Sequence, residues 1–387
     1  MTLSGAGRRL SMVLRRASVL YGSQRHLGHL DQFAGLARVP YCEGPWPRSY
    51  STSRFGKGNY LACEPVYSLM VCVHFSSEAN EETAALTETV EEVYTKLLKS
   101  VEAKTMPPNA LLWSLIEKCT KKDDILLLFQ ILRRLRVFRL SSLRIHANFN
   151  CHLCLKVTEA CIRCDALEYG LKTLWKHNVY GLTPTISSAH RLLLHAKKNG
   201  DVKLMQKIMA VIQKNSLPLQ PGTADIVFSI CYDTNSWKLL LKYAKMFLKA
   251  GVKLHRTAYD NIMDFAAKIG DAKSIWKTEQ HRTKHLKRHT ITTAFSCAKA
   301  CLIDQKPENA AAIISHLYQD LPDDKKPYFA DALQSLISEW PCELLKKKTE
   351  EDGEVLAEYL RSGIPVLFSS LRNNGIGTTV NLEELKF

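Results

Sequence analysis

Asn199-Gly200-Asp201, Thr234-Asn235-Ser236 and Ile269-Gly270-Asp271 fall on one another when the chain is slid along itself by 35 residues. The same shift carries Gly181 onto Ser216 and Gly251, Leu192 onto Val227 and Ile262, and Leu193 onto Phe228 and Met263. A turn and two apolar positions that return at a fixed interval describe one supersecondary unit written several times. Such a unit has an apolar face that it cannot bury alone, so neighbours must stack against it. The functional question moves from a catalytic pocket to a long surface.

Outward from these turns the sequence reads as helix, short polar turn, helix. Ser188–Lys198 pairs with Val202–Lys214, Ala224–Tyr232 with Trp237–Ala250, and Ala258–Ile269 with Ala272–His285. A weaker unit pairs Ile291–Ile303 with Glu308–Tyr318. Upstream, Asn109–Cys119 is followed by Ile125–Leu135, with Asp123-Asp124 suited to the dipole at the second helix's start. A longer helix over Leu143–Ile162 precedes Ala166–Lys176. Between Asp123 and the later turns lie about two periods plus two helical turns, so the early units depart from the pattern. Glu81–Ser100 is amphipathic, and Tyr67–Phe75 suits either a short strand or a buried helical turn. Residues 327–361 read as closing helices with a polar outer side. The expected class is all-α, an α-solenoid of stacked helix pairs over 105–320, with an N-terminal helical segment over 51–104 and capping helices and a tail over 321–387.

The charge is uneven. The chain has 387 residues and a net charge of +15. Residues 181–290 carry 19 Lys/Arg against 7 Asp/Glu, a net +12. Residues 1–57 carry 9 against 2. A basic repeat surface attracts phosphate through counterion release. The alternative is lysine solvating exposed helix faces, although such faces usually mix both signs. The N-terminus is Arg-rich, contains Ser and Leu, and lacks an apolar block, which is the composition of an organelle transit peptide over 1–50. Arg48-Ser49-Tyr50-Ser51 resembles a mitochondrial processing site, which points to the mitochondrial matrix, with a plastid as the alternative. No apolar run approaches the roughly 20 residues that span a bilayer, so no membrane is expected. The 12 cysteines are expected reduced.

Period and wording together resemble the pentatricopeptide repeat family. Thr257-Ala258-Tyr259-Asp260-Asn261-Ile262-Met263-Asp264 is similar to that family's first-helix opening, Lys268-Ile269-Gly270-Asp271 to its inter-helix turn, and Gly181-Leu182-Thr183-Pro184 and Gly251-Val252-Lys253-Leu254 to its repeat ending. The resemblance covers roughly residues 105–320. It implies a right-handed superhelix of antiparallel helix pairs that binds single-stranded organelle RNA, one base per unit. By position it assigns the first-helix reader to His190, Asp225 and Asp260, the last-position reader to Gln220, His255 and Thr290, and the flank of the base to Ser187, Gly222 and Thr257. The family usually places Asn, Thr or Ser first and Asp, Asn or Ser last. No unit here has that combination, so contact by charge and shape is expected to outweigh base readout. Asp225 and Asp260 also suit bonds at their own helix starts.

Other constellations were weighed. His281-Arg282-Thr283-Lys284-His285-Leu286-Lys287-Arg288-His289, with Lys253 and Arg256 nearby in sequence, is the densest basic run of the repeats. It makes Lys253, Arg256, Arg282, Lys284, Lys287 and Arg288 candidate phosphate contacts, or else a solvated helix end. Arg133, Arg134, Arg136, Arg139 and Arg144 form a second basic cluster suited to RNA or protein. Cys151-x-x-Cys154 and Cys161-x-x-Cys164 have metal-ligand syntax, but their spacer is too short for a paired zinc module. A stripe of small residues that lets helices pack closely is the preferred reading, with no metal or cofactor. Trp113, Trp175, Trp237 and Trp276 are expected in the core. No nucleophile elbow, phosphate loop or paired-acid signature is present, so no enzyme and no small-molecule substrate are expected.

The sequence thus points to a mitochondrial RNA-binding repeat protein acting in RNA processing, stability or translation, with mRNA or rRNA as partner. The alternative is a protein-binding scaffold, such as a subunit of the mitochondrial ribosome or an assembly factor. Positive charge on the first-helix face favours RNA. Charge on the second helices with an apolar groove favours protein.

Overall fold

The computed structural model describes residues 88–140, 143–346 and 350–376, with backbone alone at 140, 143–145 and 350–352. These residues are all-helical, and no strand occurs among them. The helices are α1 (Val90–Glu102), α2 (Asn109–Lys118), α3 (Lys122–Leu140), α4 (Leu143–Arg163), α5 (Leu167–Thr173), α6 (Ile186–Lys198), α7 (Val202–Lys214), α8 (Pro221–Asp233) and α9 (Trp237–Lys249). They continue as α10 (Arg256–Ile269), α11 (Ala272–Arg282), α12 (Ile291–Ile303), α13 (Pro307–Asp320), α14 (Lys326–Ser338), α15 (Trp340–Leu345) and α16 (Glu350–Asn373).

The turn that announces the repeat recurs more often than its letters do. Asp165, Gly200, Asn235, Gly270 and Gln305 all have positive φ, between 50° and 75°. They stand 35 residues apart, and each ends the first helix of a pair. Around each, the same two backbone bonds close the helix end. In the first of the clear repeats, Asp201 N–H reaches Ala196 O at 2.9 Å and Gly200 N–H reaches Lys197 O at 3.2 Å. Ala166 to Cys161, Ser236 to Cys231, Asp271 to Ala266 and Lys306 to Cys301 repeat the longer bond, at 2.8 to 2.9 Å. This left-handed closure satisfies carbonyls that the helix leaves unpaired. Asp201 and Asp271 then cap the second helices, accepting from Leu204 N–H and Ser274 N–H, each at 2.9 Å.

The register therefore runs through α4–α13, so α4/α5 belong to it and the departure expected of the early units is confined to α2/α3. The two extra turns lie at the N-terminal end of α4, which is 21 residues long where α6 is 13. Of the helix expected over Glu81–Ser100, residues 81–87 fall outside the described residues, and α1 begins at Val90. Thr89 and Glu92 form a reciprocal capping box there, which satisfies two N–H groups and fixes the start.

Packing follows the period. The first helices α4, α6, α8, α10 and α12 contact one another in succession, and each second helix packs on its own first helix. The backbones of successive second helices stand farther apart, although Gln213 Nε2 on α7 reaches Met246 Sδ on α9 at 2.6 Å. The columns Leu192/Val227/Ile262/Cys297 and Leu193/Phe228/Met263/Ala298 are all buried. Phe228 meets Phe247 edge to face at 5.8 Å, tying α8 to α9. Full burial of one such ring contributes on the order of 1.5–3 kcal/mol.

The closing helices do more than end the stack. α14 packs on α12, α16 on α12 and α13, and α15 returns to α10. Trp340 of α15 is 1% exposed, and its indole N–H donates to Ala267 O on α10 at 2.9 Å. The stretch from Gly363, left as a tail in the sequence reading, is helix through Asn373. The transit-peptide reading, the Tyr67–Phe75 segment and the end of the tail fall outside the described residues.

Candidate nucleic-acid interface

The positions assigned to base reading meet in pairs, and the pairs are closed on themselves. Asp225 accepts from Thr257 Oγ1 at 2.7 Å and meets His255 Nδ1 at 2.6 Å. Asp260 accepts from the Thr290 hydroxyl. His190 bonds Thr223 Oγ1 at 2.8 Å rather than its expected partner Gln220, which is exposed. Each first-helix reader is thus spent on the start of the next unit. The acids hold successive units together, not their own helix starts. Burial raises the Asp260 carboxyl, against the Thr290 bond that lowers it, and burial lowers the His190 imidazole. Ser187 is exposed, and Gly222 lies 3.7 Å from the His190 ring, measured from the position of an added Cβ.

Further along the same side, Tyr232 on α8 donates to Asp264 on α10, and Lys268 reaches both. Arg191 on α6 pairs with Glu159 on α4 at 3.1 Å. At the far end, Trp340 covers α10, with Lys299 Nζ 5.7 Å from its ring centre. A base entering this side would have to break bonds the chain has already made.

The dense basic run divides. Lys253, Arg256, Lys284, Lys287 and Arg288 are exposed. Arg282 is 2% exposed and cannot contact phosphate, which corrects its assignment. Its guanidinium donates to both Glu279 oxygens at 2.7 and 2.8 Å, to Leu286 O at 3.1 Å and to Arg288 O at 2.9 Å. A fifth contact, to His289 Nε2, is 3.0 Å. Burial, with Arg282 and His316 adding to it and Glu279 opposing it, holds His289 down at about 4. The reason is visible in the repeat: 35 residues earlier Arg282 is Phe247, and before that Ile212, both buried. Glu279 likewise replaces Ala244 and Met209. An ion pair occupies a core position here.

The positive charge lies on the second helices. α7, α9 and α11 carry ten Lys/Arg against Glu279 alone, while α6, α8 and α10 carry five against four acids. The lysines stand in register. Lys203, Lys238 and Lys273 are one column; Lys207, Lys242 and Lys277 a second; Lys214, Lys249 and Lys284 a third. Lys245 fills a tenth place, and these ten lysines, of which Lys284 stands just past the end of α11 and replaces the buried Arg282 in the count, are all exposed. At about 100° per residue, Lys238, Lys242, Lys245 and Lys249 fall within about 60° of one another on α9. The buried Leu240, Tyr243, Ala244 and Phe247 lie on the opposite side. No carboxylate among the described residues lies within 4 Å of any of the ten. The 35-residue shift that found the turns also finds these columns. Sequence reasoning applied it to the groove positions and passed the lysines over.

The remaining candidates resolve as packing. Cys154, Cys161 and Cys164 are buried and Cys151 half-buried. Burial raises the thiols of Cys154, Cys161 and Cys164, the reverse of what metal thiolates need. Thr158 and Thr173 bond across α4 and α5 at 2.8 Å, and a Cβ at Gly170 would stand 3.5 Å from Cys161 Cβ, so this stripe lets helices approach closely. Glu279, His289 and Cys297 bring three ligand-type atoms together, but both Glu279 oxygens already hold Arg282. In the arginine cluster, Arg133 and Arg134 are exposed and Arg136 half-buried. Arg139 is 2% exposed and donates to Tyr180 O at 2.8 Å, which ties α3 to the Tyr180-Gly181 loop. Burial lowers it to about 10. The side chain of Arg144 falls outside the described residues. Trp113, Trp237 and Trp276 are partly buried, but Trp175 lies beyond the end of α5 and is 48% exposed, against expectation.

No helix among the described residues is long and apolar enough to cross a membrane. Scanned against protein-family models and against curated proteins, the chain matches none.

Proposed function

We propose that the protein is a right-handed α-solenoid of antiparallel helix pairs, similar in plan to the pentatricopeptide repeats. On this reading it binds organelle RNA by charge and shape and performs no chemistry of its own. The observation that carries the reading is the register of ten exposed lysines, nine on the second helices and Lys284 just past the end of α11, none with a carboxylate within 4 Å among the described residues. Chained contact between first helices, with the backbones of the second helices farther apart, supports the superhelix reading, on which the lysines lie on its outer side. The first-helix side is not the basic channel that base-by-base reading requires. Nor is it the apolar groove that a protein ligand requires, since Asp225, Asp260, His255 and Thr290 line it and bond one another. The family's usual mode is therefore set aside in favour of backbone contact on the opposite face. The basic N-terminus supports a mitochondrial setting, with mRNA or rRNA as ligand.

Ultraviolet crosslinking of the protein in isolated mitochondria, with sequencing of the RNA and mass mapping of crosslinked peptides, tests this. Enriched RNA with adducts on α7, α9 and α11 is the expected result. Absence of enriched RNA, or adducts confined to α6, α8 and α10, rejects it.

A further inference from the structure

The lysine columns carry information about the form of the RNA. We infer that the second-helix face is a docking surface for double-helical RNA, recognised through its two phosphate lines; the inference rests on the RNA-binding reading above.

Along α9 the row from Lys238 to Lys249 spans eleven residues, or about 16 Å at about 1.5 Å per residue. Rows on α7 and α11 flank it. Because the backbones of the second helices stand apart, each row lies farther from the next than the roughly 10 Å of closely packed helices. The cations thus cover an area about 16 Å by at least about 20 Å rather than a line. A single strand offers one line of phosphates. A duplex offers two, beside a wide and shallow minor groove.

Chemistry agrees with geometry. Proteins that hold single strands add aromatic platforms on which unstacked bases lie. This face has none: Tyr243 and Phe247 are buried, Trp237 and Trp276 are half-buried, and Leu241 is the one exposed large apolar side chain recorded on α7, α9 and α11. Lysine is a point charge with no planar fork for a base edge. The face has a regular array of donors for phosphate and no exposed aromatic ring on α7, α9 or α11 to stack an unpaired base, which suits recognition of a duplex by shape.

The test is an equilibrium titration of the full chain, followed by fluorescence anisotropy at about 150 mM salt. The probes are an RNA hairpin stem, an unpaired RNA of equal length, and anionic phospholipid vesicles. Tighter binding of the stem, by about tenfold or more, is expected. With Lys238, Lys242, Lys245 and Lys249 changed together to Gln, the slope of log affinity against log salt for the stem should fall by about 3–4. These side chains point away from the core, so the variant keeps its fold. Equal or tighter binding of the unpaired RNA overturns the duplex inference and leaves the RNA-binding reading standing. An unchanged salt slope in the variant overturns the assignment to this face. Binding to vesicles but to neither RNA overturns both readings.

Discussion

Arg282 and Glu279 sit where the two preceding repeats have Ile212 with Met209 and Phe247 with Ala244. A buried guanidinium is tolerated only if its charge is met, and here a two-pronged carboxylate contact and two backbone carbonyls meet it. Removing the carboxylate charge alone leaves the cation stranded. Glu279→Gln is expected to destabilise the fold by about 3–5 kcal/mol in urea unfolding. The double change Glu279→Met with Arg282→Ile restores the first repeat's residues and should return stability to within about 1 kcal/mol of the parent. A loss below about 1 kcal/mol for the single change would show that the pair is not what neutralises Arg282. The same comparison explains why the sequence misled. Within His281–His289 every basic residue looks alike, and only alignment on Phe247 and Ile212 shows that Arg282 points inward.

At the scale of helices and turns the sequence was largely legible. Val202–Lys214 and Ile291–Ile303 have the bounds that their apolar spacing suggests, and the neighbouring helices differ by a few residues. The exceptions share a cause. The turns at Asp165 and Gln305 have the same left-handed geometry as those at Gly200 and Gly270, but no glycine advertises them. A side chain there costs strain of about 1–2 kcal/mol, least for Asp and Asn. Gln305→Gly should therefore stabilise the protein by about 1 kcal/mol. Gly200→Ala, with nothing within 4 Å of the added carbon, should cost about 1 kcal/mol through backbone strain alone. Thermal unfolding of the two variants checks both signs, and a stabilising Gly200→Ala would refute the common turn geometry. The start of α1 is set by the Thr89 and Glu92 caps, which the apolar stripe alone does not mark.

For the molecule as a whole, the total of +12 over residues 181–290 was readable, but its sidedness was not. Net charge has no direction until helices are paired and their buried faces known. Once Leu240, Tyr243 and Phe247 are seen to be buried, the lysines of α9 must face outward. The groove residues were readable as positions, and the structure does bring Asp225 to His255 and Asp260 to Thr290. What the letters could not show is that these pairs satisfy each other. Two faces therefore differ: a first-helix side closed by its own hydrogen bonds and by Trp340, and a second-helix side whose lysines have no carboxylate within 4 Å among the described residues. The most direct measurement compares two triple variants of the full chain for binding to a folded ribosomal RNA fragment at about 150 mM salt. Lys207, Lys242 and Lys277 changed to Gln should weaken binding by about tenfold, since each lost phosphate contact also removes counterion release. His190, Asp225 and Asp260 changed to Ala should alter it by less than about twofold. A large loss in the second variant with little change in the first would contradict the account.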